Sequence, residues 1–224
     1  MPLGDLAAYI EFSRTLDLEV NELVQRLAAA VRTRGFPQVR DVVPALGGMA
    51  LHFDPAFEGD VVATASAIVE EVAKKRLPAA DDVGRDVEVP VCFDAEFALD
   101  LQELGERTRL KSEEIARIFC GASYRVLMIG FAPGHAYLGG LPERLAVPRR
   151  ALPRAVVPAG SVAIANRQAV VYPFAISGGW SVLGRTPLTL FDASRSRPSF
   201  FGPGDRVRFK AVERKEFESL KENP

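Results

Sequence analysis

The densest set of groups able to do chemistry lies in residues 130–140, GFAPGHAYLGG. Gly130, Gly134, Gly139, Gly140 and Pro133 surround Phe131, His135 and Tyr137. Glycine admits positive φ and lets backbone approach a ligand closely. A loop of this kind can aim several N–H groups at an anion. His135 is the one side chain of the C-terminal half whose pKa ordinarily lies near neutrality, which makes it the candidate acid/base. The bland alternative is a tight turn carrying a surface histidine. A second segment, residues 148–161 (PRRALPRAVVPAGS), alternates Arg149, Arg150 and Arg154 with prolines and ends in Gly160-Ser161. Proline limits the entropy lost when such a loop is ordered, and guanidinium groups grip carboxylate or phosphate in two-point fashion. Arg150 and Arg154 are therefore candidates to hold ligand charge, with a solvated basic loop as the alternative. A third, residues 177–187 (SGGWSVLGRTP), places Gly178, Gly179 and the only tryptophan, Trp180, ahead of Arg185 and Thr186.

Other chemistries lack their residues. No phosphate-binding G-x-x-x-x-G-K-[ST] loop occurs, and Ser161 is not in a G-x-S-x-G elbow. Between residues 125 and 212 the only lysine is Lys210 and the only carboxylates are Glu143, Asp192 and Asp205. A Schiff base or a paired-carboxylate site within that stretch is therefore not expected. With two histidines, His52 and His135, and two cysteines, Cys92 and Cys120, no metal-ligand spacing or disulfide framework is legible. A reducing, cytoplasmic setting follows as the expectation. The N-terminus has no basic region followed by an apolar run, so no signal peptide is expected.

Positioning these loops takes two kinds of architecture. Residues 6–12, 39–43 and 49–53 read as strands, and 19–34 and 61–76 as helices. The order β-α-β-β-α fits a two-layer α/β sandwich over residues 1–80. In the first helix Val20, Leu23, Val24, Leu27 and Val31 fall on one face. Residues 77–85 read as a linker. A strand at 86–93 and helices at about 98–107 and 112–121 follow. Residues 125–212 then hold 10 Gly and 9 Pro between short apolar runs, the texture of an all-β barrel or sandwich. The second domain is thus 86–212, and 213–224 is a polar tail, an exposed helix or frayed end. The fold class is α+β.

Charge is unevenly spread. Residues 1–124 carry 22 acidic and 13 basic side chains, whereas 125–212 carry 3 acidic and 12 basic, eleven of them Arg. An Arg-rich half suits a small anionic ligand or an acidic partner surface, or it docks on the acidic half of its own chain. The helix pair around 98–121 resembles a DNA-reading helix-turn-helix in outline. Its second helix opens with Glu113-Glu114, which would face phosphates, so no nucleic-acid partner is expected. No apolar run approaches the roughly 20 residues a membrane span needs.

The succession G-F-x-P-G (130–134), Y-L-G-G (137–140), P-R-R-x-x-P-R (148–154), V-P-A-G-S-V (157–162), G-G-W (178–180) and G-R-T-P (184–187), closing with GPGDRVRF, resembles the family of 5-oxoprolinase B subunits. That family is also called allophanate hydrolase subunit 1 and includes the histidine-kinase inhibitor KipI. The resemblance implies a C-terminal cyclophilin-like β-barrel. It also implies assembly with two further 5-oxoprolinase components: a homologous-fold C subunit, of the allophanate hydrolase subunit 2 type, and a separate A subunit. The implied reaction is ATP-dependent hydrolysis of a small anionic cyclic amide, 5-oxo-L-proline, to L-glutamate. ATP would be used at the level of the complex, and no metal or biotin site is legible in this chain. Kinase inhibition and a urea-carboxylase-type carboxyltransferase role are the alternatives. The residues themselves make His135 and Arg150 the candidate catalytic pair, with the glycines, Phe131, Pro133, Tyr137, Arg154, Ser161, Trp180, Arg185 and Thr186 as candidates to bind substrate, although the family often has an aromatic where this chain has His135. The chain departs from the family at Phe119, where a helix-end histidine is usual.

Overall fold

The computed structural model describes residues 1–222 and divides into two compact units, one up to Arg85 and one from Asp86. In the first unit, strands β1 (Ala7–Glu11), β2 (Val39–Pro44) and β3 (Gly48–Phe53) form a sheet of order β1-β3-β2, antiparallel throughout. Helices α1 (Leu18–Arg34) and α2 (Val61–Ala73) supply the second layer. Asp17 caps α1 by accepting from the N–H groups of Glu19 and Val20, and Asp60 caps α2 in the same way through Val62 and Ala63. Each cap satisfies donors that an unextended helix start leaves orphaned. The inward face of α1 differs from the one expected. Leu23 is exposed, and Asn21 takes a buried place beside Val24, Leu27, Ala28 and Val31. The reason is local: the Asn21 amide donates to the Ala45 and Leu46 carbonyls of the β2–β3 turn. Helix α2 stops at Ala73, so Lys74–Arg76 lie beyond it.

The second unit is built on β4 (Asp86–Val91), β5 (Tyr124–Ile129), β6 (Ala136–Gly139), β8 (Ser161–Ala165), β9 (Gln168–Val171), β11 (Ser181–Arg185) and β12 (Arg206–Ala211). They form one seven-stranded sheet of order β11-β8-β9-β6-β5-β12-β4, parallel only between β12 and β4. Its two ends meet. Cys92, one residue past β4, exchanges backbone hydrogen bonds with Arg185 at 2.9 and 3.0 Å, so the sheet nearly closes into a barrel. Closure removes the free edges that strands otherwise expose. A separate ribbon pairs β7 (Arg154–Val157) with β10 (Ile176–Gly178). Helices α3 (Leu101–Thr108) and α4 (Ser112–Cys120) fill the connection from β4 to β5, and α4 sends Ile115 and Phe119 into the barrel core beside Tyr124 and Phe209.

Of the two expectations for the C-terminal stretch, the helix is the one found, and it is not fully exposed. The stretch forms α5 (Arg214–Glu222), whose Phe217 is buried against Phe97 with ring centroids 4.6 Å apart. The last two residues of the segment read as 213–224 lie outside the described residues. No helix among the described residues is long and apolar enough to cross a membrane.

Candidate functional site

Strand β11 sorts the expected site residues into two groups. Trp180 immediately precedes the strand and Arg185 ends it. At about 3.3 Å per residue, five steps separate them by roughly 16 Å.

At the Trp180 end the rings form a chain. The exposed Phe131 ring lies 5.5 Å from His135, His135 lies 4.9 Å from Tyr137 and 5.2 Å from Tyr172, and Tyr137 lies 6.1 Å from Trp180, all edge-on. The loop before β6 delivers His135 inward because Phe131 and Gly134 both take positive φ, 73° and 75°. A Cβ at Gly134 would sit 2.8 Å from the Leu190 carbonyl oxygen, so the turn needs glycine there. Burial pushes the His135 pKa down to about 4, so the imidazole is neutral at pH 7. Its Nδ1 is buried and has no hydrogen-bond partner among the described residues. His135 thus differs from a surface histidine, and its proton chemistry is that of a neutral ring with one donor and one acceptor. Burial also pushes the Tyr172 phenol up to about 12. The loop's N–H groups are partly committed. Gly130 donates to the His135 carbonyl and His135 donates to Ala132. Those of Phe131, Ala132 and Gly134 donate to no group among the described residues.

The arginine loop is the main correction. Arg150 and Arg154 do not offer free charge to a ligand. Both are bound to Asp100, whose side chain is 2% exposed. Arg154 makes a two-point contact with it, Nη1 to Oδ2 at 2.7 Å and Nη2 to Oδ1 at 2.6 Å. Arg150 Nη1 donates to Asp100 Oδ1 and to Glu103 Oε2, each at 2.7 Å. Asp100 Oδ2 further accepts from the Val182 N–H at 2.7 Å. Asp100 precedes α3 but forms no capping bond with it, and spends its carboxylate on the loop and on β11 instead. Its only sequence signal was an acid set among apolar neighbours, ALDL, at a helix start. The uncommitted cation of this rim is Arg149, which the expected binding set omitted. Its guanidinium lies 5.5 Å from the Trp180 ring centroid and forms no ion pair among the described residues. Arg150 N–H meanwhile donates to the Gly179 carbonyl at 2.8 Å, fastening the loop beside Trp180. Gly178 pairs with Arg154 in the ribbon, and a Cβ there would meet the Tyr172 hydroxyl at 2.2 Å.

The remaining expected residues lie elsewhere. Gly139 pairs with Arg125 at the far end of β6, and Gly140 turns tightly against Ser123. Ser161 is buried in β8 opposite Arg185. Gly160, Arg185 and Thr186 line a separate cavity of about 470 Å³ at the other end of β11. Among the described residues no cluster of three or more His, Cys, Asp or Glu side chains could hold a metal ion.

A barrel with a polar-aromatic rim, joined to a small α/β unit, defines a class of protein. The chain matches the family described as carboxyltransferase domain, subdomain C and D, over residues 1–201. It is 35% identical to the 5-oxoprolinase B subunit of Bacillus subtilis (strain 168), across 98% of this chain and 95% of that protein. It is 34% identical to the 5-oxoprolinase B subunit of Escherichia coli O157:H7, across 92% and 93%. The chain therefore belongs to the carboxyltransferase subdomain C and D family, in its branch of 5-oxoprolinase B subunits. The crystal structure of TTHA0988 superposes with TM-score 0.79 at 32% identity, covering 92% of this chain; this chain spans 40% of that one. The Kluyveromyces lactis urea amidolyase shares the fold, with TM-score 0.71 at 16% identity, over 98% of this chain and 15% of that chain.

Proposed function

We propose that this chain is one component of a heteromeric, ATP-dependent 5-oxoprolinase that opens 5-oxo-L-proline to L-glutamate. The observation that carries the reading is full-length similarity to proteins named as the B subunit of 5-oxoprolinase, at 35% identity over 98% of the chain. The rim at the Trp180 end supplies groups suited to that substrate. Arg149 binds the substrate carboxylate, while Trp180 and Tyr137 wall the ring. The N–H groups of Phe131, Ala132 and Gly134 meet negative charge developing on the amide oxygen. Such preorganised donors are typically worth about 3 kcal/mol each. Asp100 holds Arg150 and Arg154 so that the loop carrying Arg149 stays over Trp180. The reaction consumes ATP, but this rim does not fit a triphosphate. Two of its three arginines are neutralised by Asp100 and Glu103, and no lysine stands in its loops. Nucleotide handling and phosphorylation of the amide are assigned to the other components, the A and C subunits, in a cytoplasmic complex.

The test is reconstitution. The co-expressed components are expected to release ADP in proportion to added 5-oxo-L-proline, and this chain alone is expected to be inactive. Arg149→Gln should raise KM for 5-oxo-L-proline at least tenfold without shifting the chain's melting temperature. Absence of 5-oxoproline-dependent ADP release would overturn the assignment. ADP release that is blocked by avidin would favour the second reading, a carboxyltransferase half-site, which the family's description supports.

A further inference from the structure

The cavity at the Arg185 end of β11 is distinct from the Trp180 rim, and its reading does not depend on the 5-oxoprolinase assignment. Its walls include Gly160, Arg185 and Thr186 from the barrel and Arg214, Phe217 and Lys221 from α5, around a volume of about 470 Å³. That volume is of the size that takes a small ligand.

Two guanidinium groups converge on one ring there. The Arg214 carbon Cζ lies 4.4 Å from the Phe97 centroid and that of Arg185 lies 5.1 Å from it. Their commitments differ sharply. Arg214 is neutralised on both sides, by Glu96 at 2.7 Å and Glu218 at 2.7 Å. The Arg185 side chain has no ion pair and no hydrogen-bond partner among the described residues, and its Nε is fully buried. A buried donor without an acceptor is costly, and five guanidinium donors cannot be met by stacking alone. The backbone fixes this arginine rather than letting it seek solvent. Arg185 exchanges both main-chain hydrogen bonds with Cys92 across the barrel seam, and Thr186 N–H donates to the Gly160 carbonyl at 2.9 Å. Gly160 has φ of 77°, and a Cβ on it would meet the Thr186 carbonyl oxygen at 2.4 Å, so the turn is pressed against the same wall. The Thr186 hydroxyl accepts a long bond from Leu188 N–H, at 3.4 Å, and its own hydrogen is free to donate. Glu96 and Glu218 also line the cavity; both are bound by Arg214, and Arg185 adds a weaker electrostatic pull on Glu96, so that with Lys221 the lining retains one excess positive charge.

We propose that this cavity is a second, independent site that binds a small oxyanion, a carboxylate or a phosphate group, through the Arg185 fork, the Thr186 hydroxyl and Lys221.

The test titrates the full-length chain with inorganic phosphate and, separately, with acetate, each at constant ionic strength set by chloride, and follows amide resonances by NMR. Saturable shifts confined to residues 159–160, 185–189 and 214–221 are expected with at least one of the two anions, and the better binder identifies the source chemistry. The Trp180 fluorescence should stay unchanged, because the indole lies at the opposite end of β11. Arg185→Gln should weaken binding at least tenfold with the spectrum otherwise preserved. Should that variant unfold, Arg185→Lys keeps the charge and loses the fork, and several-fold weaker binding is expected. Neither anion shifting these residues, or undiminished binding in whichever variant folds, would overturn the proposal.

Discussion

Asp100 is the residue on which the rim depends. A carboxylate this buried is stable only while it is matched, and here three donors in addition to a backbone N–H match it. Removing it would leave the Arg154 guanidinium and the Val182 N–H without that acceptor and Arg150 with Glu103 alone. Asp100→Ala is expected to lower unfolding free energy by about 3 kcal/mol. Arg154→Ala should cost less, and Arg150→Ala least, since Arg150 shares only one of its two contacts with Asp100. Urea midpoints of the three variants check this order, and an Arg150→Ala loss equal to that of Asp100→Ala would refute it. His135 makes a second prediction at this scale. Its folded pKa, about 4, lies below the ordinary 6.5, so the unfolded chain takes up a proton that the native ring refuses. Stability linked to this group is complete above pH 6.5 and is lost as pH falls toward 4. Between pH 7 and 4.5 the wild type should lose about 2–3 kcal/mol more than His135→Phe, and equal losses in denaturant titrations would argue that the ring is solvated. The sequence showed His135, Tyr137 and Trp180 as chemistry-bearing residues because their types are rare in this half. It did not show Asp100, because pairing across fifty residues leaves no local pattern.

At the scale of elements, the sequence was legible wherever its signals were local. The apolar period marked α1, and Gly/Pro punctuation marked a β-rich second half with no α-helix between β5 and β12. What tertiary pairing decides was not legible. Leu23 gives up its core place to Asn21 because the turn beyond β2 offers two carbonyls that need a donor. The polar segment after β12 becomes a packed helix because Phe217 finds Phe97. The seam between β11 and β4 is another such case, and it makes a prediction. In β11 the register slips between Val182 and Gly184 as the strand passes from β8 to the seam. A Cβ on Gly184 would meet Val91 Cγ1 at 2.7 Å and the Cys92 carbonyl oxygen at 2.8 Å. The second contact is backbone, so relief requires opening the seam. Gly184→Ala should therefore destabilise the barrel by about 1–3 kcal/mol, read as a lowered thermal midpoint. It should also speed amide exchange at Cys92 and Arg185, whose hydrogen bonds close the sheet. Unchanged exchange at those two amides would show that the sheet does not depend on closure.

For the molecule as a whole, the charge asymmetry of the sequence changes meaning once the units are drawn. Cut at residue 124, the chain looks like an acidic half joined to a basic one. Cut at the boundary after Arg85, the first unit holds 13 acidic and 9 basic side chains and the second holds 16 and 19, close to balance. Five of the nine acids of residues 86–114 are paired within their own unit: Asp86 with Arg206, Glu96 with Arg214, Asp100 with Arg150 and Arg154, Glu103 with Arg150, and Glu114 with Arg144. Much of the arginine excess thus serves internal pairing, and among the described residues Arg149 and Arg185 lie over aromatic rings without an ion pair. The pairings also predict autonomy. A fragment beginning at Asp86, about 140 residues long, is large enough to bury roughly 68% of its unfolded surface, and it contains both partners of every pair named. It should fold by itself and keep the near-ultraviolet dichroism of Trp180. The decisive comparison is the Asp100→Ala loss measured in the fragment and in the full chain. Equal losses are expected, because the carboxylate and all its donors lie from Asp86 onward. A markedly smaller loss in the fragment would mean that the arginine loop is held in place by the first unit, and the rim would then have to be understood as a property of the joined chain.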